Sequence, residues 1–303
     1  MFASLAFILA AQGIAIPLGK APRVIEQPRA PIETAGPRWA LACKDSDDWN
    51  KAAPPVRIHA NTYMVGTCGI SSILLTGTDG HVLIDGGTEE GAELIAANIR
   101  RLGFRVEDIR FILTSHEHFD HVGGVAKLQR MSGATLVTSA AAAKVFATGA
   151  ASADDPQAGM LQPFAPANVG RVVREGEEVL LGNIMLKAIA TPGHTAGALS
   201  WRWVSCDGGV CRTIVYADSL SPVSRDDYRF SAHPAYVAAF RASIAKIAAS
   251  PCEILVTPHP SASAMKERFA LGEPLLDTNA CKAFAADRTK ALDERLAKEA
   301  AAK

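Results

Sequence analysis

Two stretches of alternating and continuous apolar positions, one after Ile58 and one after Arg171, organise the chain. In the first, residues 63–65 and 70–76 read as strands, Asp79-Gly80 is a hairpin turn signal, and His81-Val82-Leu83-Ile84 returns as a strand. Residues 89–102 then have helical spacing, with Leu94, Ile95, Ile99 and Leu102 on one face. The buried strand Phe111-Ile112-Leu113-Thr114 follows, then a helix starting at Val122 and ending near Met131, a strand at 135–139 and an alanine-rich helix at 140–148.

Residues 149–168 break the pattern: they lack periodicity, carry three prolines, and read as a long loop, either a lid or a plain connector. The second stretch places strands at 171–173, 179–180, 185–189, 199–204 and 213–216, a helix at 235–249 and a strand at 254–256. Strands, helices and strands thus occur twice in the same order. This predicts an α/β fold of two similar halves packed as a four-layer sandwich, with no sequence repeat behind it. Residues 279–303 form a polar, alanine-rich helix expected to cover one face.

The N-terminus differs. Residues 2–12 are apolar but too few to span a bilayer, and small residues follow, so residues 1–20 read as an export signal. Residues up to 55 are rich in Pro, Arg and Ala without periodicity, which makes 21–55 an extension over the surface of a domain at 56–303. With zero formal net charge and no run of Lys or Arg, the chain is poorly suited to a nucleic-acid partner. No other segment is fit to cross a membrane, so stable membrane association is not expected.

The six cysteines include no C-x-x-C pair, and disulfides suit an exported protein better than free thiols. Proximity favours Cys43 with Cys68, Cys206 with Cys211 and Cys252 with Cys281. An oxidising compartment such as the periplasm fits both features.

Chemistry concentrates at Ser-His-Glu-His-Phe-Asp-His, residues 115–121, which hold three of the eight histidines in the strand-to-helix turn after Phe111-Ile112-Leu113-Thr114. Neutral imidazole and carboxylate together suit zinc, and His116, His118, Asp120 and His121 offer more ligands than one catalytic ion takes from protein. That surplus points to two ions. His194, in Thr-Pro-Gly-His-Thr, and His259, in Thr-Pro-His-Pro, stand at strand ends in turns that proline and glycine hold fixed, a placement suited to ligands. Asp85 closes another strand and is a candidate to orient a ligating histidine or to cap a turn.

The spacing His116-x-His118-x-Asp120-His121, then Gly193-His194, Ala217-Asp218-Ser219 and His259 after a strand, resembles the metallo-β-lactamase superfamily. Ser219-Leu220-Ser221 and the Thr257-Pro258-His259-Pro260 turn resemble its subclass B3, over residues from about 40 to the C-terminus. The resemblance implies an αββα sandwich with two zinc ions: one on His116, His118 and His194, the other on Asp120, His121 and His259. It further implies hydrolysis of small-molecule β-lactams, with Asp120 aiming the attacking water and Ser219 and Ser221 binding the substrate carboxylate; a monomer is expected. Glu117 is not expected to be a ligand. A thioesterase of the glyoxalase II type or a lactonase is the nearest alternative, with Asp218 bridging the metals. A protein that stores or senses zinc is an alternative of another class.

Overall fold

The computed structural model describes residues 35–302. The proposed export signal and the first part of the extension therefore lie outside the described residues. A seven-stranded sheet runs in the order β1 (Val56–His59), β2 (Thr62–Met64), β3 (Ile73–Thr76), β4 (His81–Ile84), β5 (Ile109–Leu113), β6 (Thr135–Thr138) and β7 (Val169–Val172). Its first four strands are an antiparallel meander, and β4 to β7 are parallel. The second sheet places β8 (Glu178–Leu181), β9 (Ile184–Ala190), β10 (Leu199–Asp207) and β11 (Val210–Tyr216) antiparallel in sequence, with β12 (Ile254–Val256) parallel to β11 at one edge.

Strand periodicity explains how the layers stack. Along β3 and β4, Ile73, Leu75, Val82 and Ile84 face the second sheet and meet Leu186, Trp201, Ile214 and Tyr216 in the central core. The alternate residues Leu74 and Leu83 face outward, onto Ile95 and Ile99 of α2 (Gly91–Arg101) and Leu128 of α4 (Val125–Ser132). Side chains two apart share a face, so a strand between two covered faces is apolar nearly throughout: β3 and β4 are buried at every position, and only their paired ends, Thr76 and His81, are polar. On the far side, Val215 and Leu255 meet Phe240 and Ile244 of α6 (Pro234–Ala249) and Phe284 and Leu292 of α8 (Ala280–Ala301). The result is the four-layer αββα sandwich. Among the described residues no helix is long and apolar enough to cross a membrane.

Three details depart from the sequence reading. The strand at 171–173 does not open the second half; it becomes β7, the edge of the first sheet beside β6. Periodicity reveals a strand but not its neighbour. Only 73–76 of the expected 70–76 strand is regular, because Ser71 N donates instead to Pro258 O, 2.7 Å away, in the turn of His259. The extension is also more than a wrapping segment: α1 (Gly36–Ala42) buries Trp39 against Phe269 of α7 (Met265–Leu271), with ring centroids 5.4 Å apart. That contact joins residues too distant in sequence for local patterning to reveal it. The three disulfides pair as proximity suggested, and Cys43–Cys68 pins the extension to the first sheet's meander.

Candidate metal centre

Every expected ligand comes from the carboxyl end of a strand. His116 and His118 lie in the loop after β5, and Asp120 and His121 in the single turn α3 (Phe119–Val122) that follows. His194 lies beyond β9 and His259 beyond β12. Loops at such strand ends are fixed at their roots while their backbones remain free to curl around a ligand. The turn of His194 also needs its glycine: a Cβ on Gly193 would come 2.4 Å from the ring of Phe240 on α6.

The six side chains gather in two sets. Rings of His116, His118 and His194 stand 4.6 to 4.9 Å apart, centroid to centroid, and one ligand atom from each lies within 4.8 Å of the others. In the second set, Asp120 Oδ2 is 3.0 Å from His121 Nε2 and 3.5 Å from His259 Nε2, and the two nitrogens are 3.1 Å apart. His116 stands between the sets, since its ligand atom also falls within 4.8 Å of those of Asp120 and His121.

Which nitrogen each imidazole offers follows from what holds the other one. His116 Nδ1 donates to Asp218 Oδ1 at 2.8 Å, which leaves Nε2 buried and without a partner among the described residues. His118 Nε2 donates to Asp155 Oδ2 at 3.1 Å, so Nδ1 is the free nitrogen. His194 Nδ1 donates to the carbonyl of Ser221 at 2.9 Å, and His259 Nδ1 to that of Gly69 at 3.0 Å, leaving Nε2 on both. His121 turns Nδ1 towards Asp85 Oδ2 at 3.8 Å and Nε2 towards Asp120. Ligating histidines commonly donate their second N–H in this way, which fixes tautomer and ring plane.

Protonation favours metal binding too. Burial and the neighbouring imidazoles hold His116 well below the ordinary histidine range, His194 at about 3 and His259 at about 4, so all three are neutral with a lone pair at pH 7. For Asp120 burial opposes the charge, but His121 beside it outweighs burial and keeps the carboxyl ionised well below the usual carboxylate range. His116, His194 and His259 as neutral imidazoles beside the Asp120 carboxylate are a donor set that fits zinc, whereas at His121 burial is outweighed by Asp120, which pushes the imidazole up, so His121 gives up a proton when it ligates.

Asp85 braces this floor. Its backbone is left-handed, φ 64°, a conformation that aspartate tolerates better than most residues, and its carboxylate accepts from Ser115 N, Ser115 Oγ and Tyr216 Oη at 2.6 to 2.7 Å. Asp218, offered by the sequence as a possible metal bridge, instead stands on the Nδ1 side of His116, away from the free Nε2. Ser221 is behind His194, its Oγ 3.0 Å from Nδ1 as well. Ser219 is buried, and its Oγ has no partner among the described residues.

Sequence reasoning did not find Asp155 or Tyr216. Asp155 sits in the aperiodic 149–168 loop, where no local signal separates it from Asp154, yet its carboxylate holds His118. The loop is fastened there: Arg225 N donates to Pro156 O and Arg225 Nη1 to Asp155 O. At the mouth, Trp49 of the extension is part exposed and stands against Phe119 and the ring of His259, at 5.5 and 6.2 Å.

Comparison with known proteins agrees with this geometry. The profile of the Metallo-beta-lactamase superfamily matches residues 65–259, and the chain belongs to that family. Among solved structures it is similar to the MIM-2 metallo-beta-lactamase, with 52% identity and TM-score 0.84 over 88% of this chain and 98% of that one. MIM-1 from Novosphingobium pentaromativorans gives 48% identity and TM-score 0.85 over 87% and 98%. MEM-A1, a subclass B3 metallo-beta-lactamase from a soil metagenome library, gives 43% and 0.82 over 84% and 100%. A hydroxyacylglutathione hydrolase of Brucella anthropi is 31% identical over 110 residues, 36% of this chain and 34% of that protein. The chain thus matches only about a third of the length of such curated relatives.

Proposed function

We propose that this protein is a subclass B3 metallo-β-lactamase that hydrolyses the lactam amide of penicillins, cephalosporins and carbapenems and so confers resistance. The observation that carries the reading is the complete pair of ligand sets, His116–His118–His194 and Asp120–His121–His259, in a chain that aligns over nearly the whole length of such enzymes. Two zinc ions would occupy the two sets. All six ligands come from one chain, which suits a monomer. Three disulfides support export to the periplasm, with residues 1–20 as the signal, 21–55 as an extension and 56–303 as the catalytic domain.

When bound, zinc supplies Lewis acidity, lowering the pKa of water towards ~7 and polarising a carbonyl oxygen. The chain's own groups do the rest. Asp120, anchored beside His121 and His259, accepts a hydrogen bond from the attacking water and aims it at the lactam carbonyl carbon. The water oxygen bonds to that carbon and the C–N bond of the ring breaks; one water proton passes to solvent and the other ends on the departing nitrogen, leaving a carboxylate and an amine. Ser219, with a hydroxyl not committed to any described residue, donates to the substrate carboxylate. Ser221 completes that subsite while its carbonyl holds His194.

The thioesterase reading loses its main support in Asp218, which braces His116 from behind. Metal analysis of the purified chain is expected to give two zinc ions, and a chelator to abolish activity. His259→Ala is expected to keep one ion, held by the three histidines. A carbapenem, a penicillin, a glutathione thioester and a homoserine lactone offered in parallel test the substrate class. Preference for the thioester or the lactone would overturn the assignment, and one ion at saturating zinc would overturn the two-metal site.

A further inference from the structure

Glu117 stands between two ligands, His116 and His118, and its side chain is buried. Its carboxylate accepts from Thr195 Oγ1 at 2.7 Å and from Gly197 N at 2.9 Å. Both donors belong to the turn that carries His194. The three-histidine set is therefore assembled from two segments distant in sequence, and Glu117, 78 and 80 residues from its two donors, is a direct side-chain link between them. The fit is close: a Cβ on Gly197 would lie 2.7 Å from both carboxylate oxygens and 2.6 Å from Ala142 N, in the first turn of α5 (Ala140–Thr148). Ser139, the N-cap of that helix, donates to Gly197 O at 2.7 Å and closes the network.

We propose that Glu117 is a positioning residue for the metal: its carboxylate sets the place of His194 relative to His116 and His118, and so the affinity of the three-histidine set for zinc. The inference rests on the reading of these histidines as ligands. Without the carboxylate, the Thr195 hydroxyl and the Gly197 N–H lose their acceptor inside the protein, and the turn moves to find another. Metal sites tolerate little such drift, because ligands must be held close to the productive geometry. The Asp120–His121–His259 set is not among the partners of the Glu117 carboxylate and keeps its own hydrogen bond, from His259 Nδ1 to Gly69 O.

The test is metal affinity of the full chain, by zinc titration against a chromophoric chelator, with cobalt(II) absorption as a record of ligand geometry. Glu117→Ala is expected to weaken the three-histidine site about ten- to a hundredfold and alter its cobalt spectrum, the range seen when groups behind metal ligands are removed. The second site is expected to be unchanged. Glu117→Gln retains an acceptor for Gly197 N–H and a donor for Thr195 Oγ1, and is expected to restore most of the affinity. Thr195→Val, which removes one hydroxyl at nearly constant volume, is expected to weaken the same site about fivefold, and serves should Glu117→Ala fail to fold. Wild-type affinity in both Glu117→Ala and Thr195→Val would overturn the proposal, as would equal losses in the Gln and Ala variants. If the wild-type chain itself bound no zinc, the ligand reading would fall, and the proposal with it; wild-type binding with unaffected variants removes the proposal alone.

Discussion

Replacing Glu299 with glutamine is expected to destabilise the fold by about 2 to 3 kcal/mol at neutral pH. Glu299, near the end of α8, accepts from Phe230 N at 3.0 Å, Ser231 N at 2.8 Å and Arg295 Nε at 2.8 Å. Arg295 continues to Ser224 Oγ at 2.7 Å and Tyr228 O at 2.9 Å, so this one carboxylate ties α8 to the segment that follows Ser219 and Ser221. Burial works against its charge, but the donors outweigh burial and hold the carboxyl at about 2, against 4.5 for an ordinary glutamate. At about 1.36 kcal/mol per pH unit, that separation corresponds to roughly 3.4 kcal/mol as an upper figure.

Because the folded-state pKa is depressed, the contribution is complete above the unfolded value near 4.5 and is lost as pH falls through about 2. Linkage leaves about six-tenths of it near pH 3.5, roughly 1.2 to 1.8 kcal/mol. Urea unfolding of wild type and Glu299→Gln in metal-free buffer, at pH 7 and near 3.5, measures the gap at both ends. The other titrating groups are common to the two proteins and largely cancel. A gap at pH 7 under about 0.5 kcal/mol, no more than an ordinary surface substitution, refutes the reasoning. So does a gap that widens on acidification.

Asp218→Asn is expected to lower zinc affinity about ten- to a hundredfold, since Asp218 holds the Nδ1–H of His116; chelator competition reads it, and undiminished affinity would show that His116 needs no such brace. The disulfides are expected to rank by the loops they close. Replacing Cys252 and Cys281 by serine, which opens a separation of 29 residues, should cost about 3.6 kcal/mol, against about 2 kcal/mol for Cys206 and Cys211, five apart. Denaturant unfolding of the two double variants checks the order, and a reversal would mean that unfolded-chain entropy is not what these bridges restrict.

Much of the site was legible because its chemistry is local. Four expected ligands fall within six consecutive residues, the other two sit beside proline and glycine in short turns, and each disulfide joins cysteines fewer than thirty residues apart. Because burial acts on each element separately, period-two and helical apolar spacing likewise revealed most of the described strands and helices, though not β1, α1 or α7.

What only the tertiary structure decided was pairing between distant residues. A strand's pattern does not name its neighbour, so β7 went to the first sheet and not the second. Trp39 reads as one apolar residue in a proline-rich stretch until Phe269 is packed against it. Asp155 differs in no local respect from a solvated carboxylate, and for Asp218 and Glu117 the sequence marks a motif but not the partner of the side chain. Their roles arise because folding removes them from water, and a buried carboxylate must find a donor: for Asp155 and Asp218 the donor is the imidazole of a proposed ligand, His118 or His116, and for Glu117 it is the turn that carries His194.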